Sequence, residues 1–126
     1  MAFLTEEMKQ MFKTKRYAMV ATATKNGMPN VVAMGSPRVL DDETLGFACG
    51  SPGKTFKNIH DNPVVAITVV DADTMKEFQF KGKATVETSG PFFDSVKAEW
   101  AKMKLPPPQC VVKVAVSEIY AFPPKV

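Results

Sequence analysis

Hydrophobic and polar residues alternate along most of the chain, a pattern typical of β-strands that bury one face. The clearest alternation runs from Lys76 to Glu87, where Phe78, Phe80 and every second residue after them share one face. Residues 64–70 are apolar at nearly every position, which predicts a strand covered on both sides. Together the runs predict six or seven strands, within residues 17–24, 30–34, 39–40, 45–49, 64–70, 76–87 and 111–122.

Shorter segments have hydrophobic residues at helical spacing instead. They predict an opening helix with Thr5 as its N-terminal cap, a short helix over residues 54–61, and a third helix that begins at Gly90-Pro91. Their apolar faces consist of Leu4, Met8, Met11 and Phe12 in the first, Phe56 and Ile59 in the second, and Phe93, Val96, Trp100 and Met103 in the third.

The connections between these elements indicate an antiparallel fold. Asn26-Gly27 stands between two strand-like runs and is a strong signal for a tight hairpin. Nowhere do a strand, a long helix and another strand follow each other, which argues against a parallel sheet. An antiparallel barrel with small flanking helices would leave no exposed strand edges. The sequence therefore predicts a mainly β fold in which residues 1–126 form a single domain.

Composition supports a globular domain and excludes several other classes of protein. The 126 residues are 45% hydrophobic, and a net charge of +3 favours an anionic partner only weakly. No apolar run reaches the ~18 residues of a membrane helix, and the N-terminus lacks a secretory signal pattern. Cys49 and Cys110 are 61 positions apart with no ligand residues beside them. Neither a disulfide framework nor a metal site is predicted, and a reducing cytoplasm is expected.

The segment Gly50-Ser51-Pro52-Gly53-Lys54-Thr55 has the chemistry of an anion-binding turn. Its glycines allow backbone N–H groups to approach a ligand, and the following helix adds positive charge at its N-terminus. Lys54 contributes an ammonium group and Thr55 a hydroxyl. The segment differs from the phosphate loop of nucleotide hydrolases because Ala48 stands where that loop requires glycine. A turn that binds no ligand is the alternative interpretation.

Other candidate residues each allow two interpretations. The segment Val32–Ser36 ends in small residues that would let a flat ring lie against its backbone, or it is an ordinary strand end. Arg38 either supplements the anion site or is a solvated surface residue. Trp100 either packs in the core or a subunit interface, or it stacks on a cofactor. Cys49 is a small buried hydrophobe or a thiol near a ligand, and His60 is expected at the surface. No catalytic residue and no metal ligand are predicted.

The order of these features resembles the FMN-binding split-barrel family related to pyridoxamine 5′-phosphate oxidase, over about residues 4–122. The combination that carries the resemblance is Gly53-Lys54-Thr55, then Asn62-Pro63 before an apolar strand, then Phe80-Lys81-Gly82. The resemblance implies a six-stranded antiparallel split barrel with Greek-key topology. It also implies a homodimer that holds FMN in the crevice between its subunits.

By the same resemblance, FMN would be bound by residues from three segments. Lys54 and Thr55, with Gly53, would hold the phosphate, and Asn58 would lie nearby on the same helix. The isoalloxazine ring would be lined, mainly through backbone groups, by Val32, Ala33, Met34, Gly35 and Ser36. Trp100 would approach from the partner subunit.

The expected function is that of a flavoprotein, either a redox carrier or a flavin-dependent reductase or oxidase with a small-molecule or protein partner. The flavin would supply the redox chemistry. Vitamin B6 oxidation is not expected, because the only arginines are Arg16 and Arg38 and the chain ends without the basic residues that hold that substrate's phosphate. The alternatives are a family member that uses a deazaflavin or haem, or a non-enzymatic oligonucleotide-binding barrel that uses Gln79, Lys81 and Lys83.

Overall fold

A computed structural model describes residues 2–15, 17–50 and 53–123. In chain order the elements are α1 (Glu6–Thr14), β1 (Ala18–Ala23), β2 (Pro29–Met34), β3 (Arg38–Asp41), β4 (Thr44–Cys49), α2 (Lys54–Asp61), β5 (Val64–Asp71), β6 (Lys76–Glu87), α3 (Pro91–Lys102) and β7 (Cys110–Phe122). None of the helices in these ranges is long and apolar enough to cross a membrane.

Local chemistry explains where several of these elements begin and end. At the start of α1 the Thr5 hydroxyl accepts the N–H of Met8, and the Met8 sulfur accepts the N–H of Thr5. Gly27 in the β1–β2 turn has φ +89°, a left-handed conformation that favours glycine. α2 spans residues 54–61, and Asn62-Pro63 ends it. The predicted hairpin and the three predicted helices are confirmed.

The strands form one antiparallel sheet in the order β2-β1-β5-β6-β7-β4-β3. The two longest strands, β6 and β7, shift register between Lys81 and Gly82, and a bulge of this kind bends a sheet. A Cβ atom at residue 82 would lie 2.0 Å from the Ala115 carbonyl oxygen, so only glycine fits there. The sheet curls until its two ends approach each other. This closure is visible in a hydrogen bond that the Ala48 N–H of β4 donates to the hydroxyl of Ser36, just after β2, at 3.1 Å.

This architecture confirms the mainly β antiparallel class and is consistent with a split barrel. The count of six strands implied by the resemblance is wrong, and the upper of the two counts from the residue pattern, seven, is the one that the structure has. Arg38–Asp41 forms a short seventh strand, which pairs only with β4 at one edge of the sheet.

The core fills the concave side of the sheet. Leu45, Phe47, Ile67, Phe80 and Val114 have no exposed surface there, and α1 closes one end through Met8 and Met11. A smaller cluster lies beneath α3, where Phe92 and Val96 pack against Ala48 and Val111. The predicted apolar face of α3 is therefore right for Val96 and for the half-buried Phe93 and Trp100, but it missed the buried Phe92 and wrongly included the exposed Met103.

The outer side of the sheet is only partly covered. Val64 is 46% exposed and Val70 is 41% exposed, so the prediction that β5 is covered on both sides is wrong for the single chain. Register places Met19 of β1 and Val31 of β2 on the same side. We call Met19, Val31, Val64 and Val70 the outer patch.

Candidate functional site

A cavity of about 760 Å³ opens where the curled sheet meets α2 and α3. Its walls come from the end of β2, the end of β4, the start of α2, and the C-terminal half of α3 with the turn after it. The lining residues are Tyr17, Val32, Ala33, Met34, Gly35, Ser36, Ala48, Cys49, Gly50, Gly53, Lys54, Thr55, Phe56, Glu99, Trp100, Met103 and Leu105.

The start of α2 makes one end of this cavity attractive to anions. Gly53 is the residue that caps α2, and because it has no side chain it gives the N–H groups of the first turn no side-chain cap. Free N–H groups at a helix start carry partial positive charge. Lys54 follows directly, is exposed, and has no ion-pair partner among residues 2–15, 17–50 and 53–123. Ser51 and Pro52 of the predicted turn lie outside the described residues.

Thr55 is held in place by the half-buried amide of Asn30. Asn30 of β2 donates from Nδ2 to Thr55 Oγ1 at 3.3 Å and to Thr22 Oγ1 at 3.5 Å. Thr55 Oγ1 thus accepts one hydrogen bond from Asn30, and its own proton remains for a further hydrogen bond.

Asn58 lies on α2, as the resemblance implies, but its side chain is directed away from the cavity. Its side chain is buried, and its Nδ2 donates to Thr22 Oγ1 at 3.0 Å. It does not line the cavity. Asn58 therefore anchors α2 to β1, behind the anion-binding end, rather than contributing a group to it.

The strand β2 forms the second wall. It is the last strand at one edge of the sheet, so half of its backbone N–H and C=O groups have no partner strand. The side chains of Ala33 and Gly35 are small or absent, so a flat ring could reach this backbone. Ser36 is less available, because its hydroxyl both accepts from Ala48 N–H and donates to Ala48 O (3.4 Å).

Arg38 does not supplement the anion site, contrary to one of its two predicted interpretations. Its guanidinium makes two hydrogen bonds to the carboxylate of Glu99, at 2.7 and 2.9 Å, and Nε donates to Ser36 O. The pKa of Glu99 is lowered by these hydrogen bonds, so its carboxylate is ionised at neutral pH. The ion pair ties α3 to β3 and fixes the third wall.

Trp100 lies in that third wall, within the same chain as β2 and α2. A Cβ atom placed on Gly50 would lie 3.4 Å from its ring, so the indole packs closely over the end of β4. Trp100 was expected to approach from the partner subunit, but it already reaches the cavity of its own chain. Sequence reasoning missed six lining residues, because tertiary packing brings them to the cavity: Tyr17, Ala48, Phe56, Glu99, Met103 and Leu105.

Nine of the ten residues predicted to bind the cofactor line this one cavity, and Asn58 is the exception. The dimensions suit a cofactor, because ligand pockets typically have volumes of about 300–1,000 Å³. The polar end fits a phosphate, and the edge strand with Trp100 and Met103 fits an apolar ring. No cluster of three or more potential metal ligands occurs within the described ranges.

Comparison with known proteins gives a consistent result. The profile of the family described as pyridoxamine 5′-phosphate oxidase matches residues 4–122. The protein MJ0282 of Methanocaldococcus jannaschii is 37% identical over 122 residues, covering 93% of this chain and 79% of the relative. HupZ of Group A Streptococcus has 32% identity and a TM-score of 0.85, and the match covers 94% of each chain.

The same fold occurs in more distant structures. An FMN-binding protein from Syntrophomonas wolfei has 16% identity and a TM-score of 0.78, covering 90% of this chain and 82% of its own. An F420 reductase has 23% identity and a TM-score of 0.71, covering 93% of this chain and 98% of its own.

Proposed function

The chain belongs to the pyridoxamine 5′-phosphate oxidase family, and from that membership we propose that it binds FMN in the cavity between β2, α2 and α3. The phosphate lies at the start of α2, on the backbone N–H groups after Gly53, the Lys54 ammonium and the Thr55 hydroxyl. The isoalloxazine ring lies along Val32–Ser36, with Trp100 and Met103 on the opposite wall.

One observation carries this proposal: a single cavity joins a cationic end to an apolar wall with free backbone groups. FMN has the matching polarity, with a dianionic phosphate at one end and a flat ring with hydrogen-bonding edges at the other. A helix start with unpaired N–H groups is a recurrent phosphate site.

The bound flavin supplies the redox chemistry. The residues of this chain bind it, orient it and limit its contact with water. Glu99 is the carboxylate among the lining residues, and it is engaged by Arg38 and ionised, so it does not act as a proton donor at neutral pH. This division of labour fits a redox carrier, or a flavin-dependent reductase or oxidase whose second substrate brings its own reacting groups.

We further propose that the outer patch pairs two copies of the chain. Its apolar side chains are too exposed for a face that stays in water, and Val31 of the patch lies on the strand that lines the cavity. The partner subunit would therefore lie beside the flavin. A cytoplasmic location and a small-molecule or protein redox partner belong to the same proposal.

The first experiment is an absorption spectrum of the purified protein, with mass spectrometry of the ligand released on denaturation. Oxidised flavin absorption and the mass of FMN are expected. A deazaflavin is the alternative result, because an F420 reductase has the same fold. That result would leave the proposed binding cavity in place and change only the identity of the cofactor. Haem, or a protein that binds neither flavin nor deazaflavin when either is added, would contradict the proposal.

The oligonucleotide-binding alternative rests on the outer face of β6. The structure places one aromatic side chain on this face, that of Tyr120. Tyr120 is the register partner of Gln79, and the centre of its ring lies 5.1 Å from the Lys81 ammonium. The Tyr120 hydroxyl, however, donates to the carboxylate of Glu118, which places negative charge on the same face. Steeply salt-dependent binding to single strands would favour this function over the flavoprotein.

A further inference from the structure

Two cysteines lie opposite each other in the wall of the cavity. Cys49, the last residue of β4, is the register partner of Cys110, the first residue of β7. Both are free thiols and both are buried, with Cys49 6% and Cys110 1% exposed. Cys49 lines the cavity and Cys110 does not. The FMN proposal uses neither sulfur.

The register places these thiols within reach of a disulfide bond. Residues directly opposite in an antiparallel pair have Cα atoms about 4.5–5.5 Å apart, and disulfides span about 4.4–6.8 Å. The two thiols already interact through a side-chain hydrogen bond, which raises the pKa of Cys49 and lowers the pKa of Cys110. Such a pair loses its first proton more readily than its second, because one thiol stabilises the other's thiolate.

We propose that Cys49 and Cys110 form a redox-active dithiol whose co-reactant is a low-molecular-weight disulfide that enters through the cavity. Cys49 is the attacking residue because it is the one that the cavity reaches. The first thiolate of the pair forms on Cys110, and it accepts the Cys49 proton as the Cys49 sulfur attacks. Its sulfur bonds to one sulfur of the small disulfide, the disulfide bond breaks, and the other half leaves as a thiol. Cys110 then bonds to the Cys49 sulfur and displaces the second half.

The step balances without a further reagent. The two cysteine sulfurs lose two electrons and become a disulfide, and the small disulfide gains them and becomes two thiols. The two cysteine protons end on the released thiols. The reverse reaction, with excess small thiol, restores the dithiol. No flavin takes part, so this inference goes beyond the proposed function.

The test incubates the full-length protein with excess oxidised glutathione, traps remaining thiols with an alkylating agent, and measures the intact mass and the modified peptides. We expect the wild type to lose two hydrogens and to carry no glutathione, and reduction to restore its mass. Cys110→Ala is expected to accumulate one glutathionyl group on Cys49. The matched variant Cys49→Ala is expected to react at least about tenfold more slowly, since Cys110 is nearly inaccessible.

Three outcomes would overturn the proposal: both thiols stay free in the wild type, the first adduct maps to Cys110, or the two variants react at equal rates. If an alanine variant does not fold, early quenching of the wild-type reaction still decides it, because the first adduct must map to Cys49. Added FMN is expected to slow the reaction about tenfold by covering Cys49. Equal rates with and without bound FMN would contradict the placement of the flavin and leave the dithiol standing.

Discussion

Replacing Lys54 with alanine tests the phosphate end of the cavity directly. The variant removes an exposed ammonium that has no carboxylate partner within the described part of the chain, so no buried charge is left behind. A charge-assisted hydrogen bond contributes about 1.5–3 kcal/mol. Because Lys54 is exposed to solvent, we expect the lower end of that range, which corresponds to a loss of about tenfold in FMN affinity.

Riboflavin lacks the phosphate, so its affinity should change by less than about threefold. Lys57→Ala is the matched control, because Lys57 lies on the same helix, does not line the cavity, and pairs with Asp61 at 3.4 Å. It should leave both affinities nearly unchanged. Fluorescence titration of both ligands against the three proteins measures these effects. An equal loss for FMN and riboflavin in Lys54→Ala would refute the phosphate assignment.

Three further predictions follow from the same geometry. Thr55→Ala should weaken FMN by about fivefold in the same titration, since a neutral hydroxyl contributes about 1 kcal/mol; an unchanged affinity would remove Thr55 from the site. The wild type should be a dimer by light scattering at micromolar concentration and Val64→Lys a folded monomer, whereas a flavin-loaded wild-type monomer would contradict the outer-patch pairing. Because the pKa of Glu99 is lowered in the folded state, its pair with Arg38 stabilises the protein above the ordinary carboxylate pKa, and this stability is lost as the pH falls through the lowered value. Glu99→Gln should therefore flatten the acid side of a plot of unfolding free energy against pH, and an unchanged slope would be the contrary result.

Elements set by neighbouring residues could be predicted from the sequence. The Thr5 cap, the Asn26-Gly27 hairpin and the limits of α2 all depend on chemistry within a few positions, and each matches the structure. The helix start that follows Gly53 could be predicted for the same reason, and its role in binding an anion stays a prediction. The burial of β5 could not be predicted in this way. The sequence shows which residues share a face of the strand, but it does not show what covers that face.

The parts of the site that sequence reasoning missed are joined over long separations. Arg38 and Glu99 are 61 residues apart, and nothing in either neighbourhood indicates their ion pair. Cys49 and Cys110 meet only because β4 and β7 pair in one particular register. Asn58 faces β1 rather than the cavity because Thr22 offers its oxygen on that side. Each outcome is decided by tertiary packing rather than by propensity.

The position of the cavity follows from how the sheet closes. β2 stands at one end of the strand order and β4 lies next to the other end, yet Ser36 and Ala48 exchange hydrogen bonds across the gap between them. That contact is made by one side chain, and no backbone ladder joins β2 to β4 within the part of the chain that the structure describes. Among the same residues the outer edge of β2 has no partner strand, whereas in a closed barrel its N–H and C=O groups would bond to the next strand. A flat ligand with hydrogen-bonding edges can pair with them there. Under the proposed function, the split in the barrel would provide the edge that binds the ring, and the start of α2 would bind the phosphate.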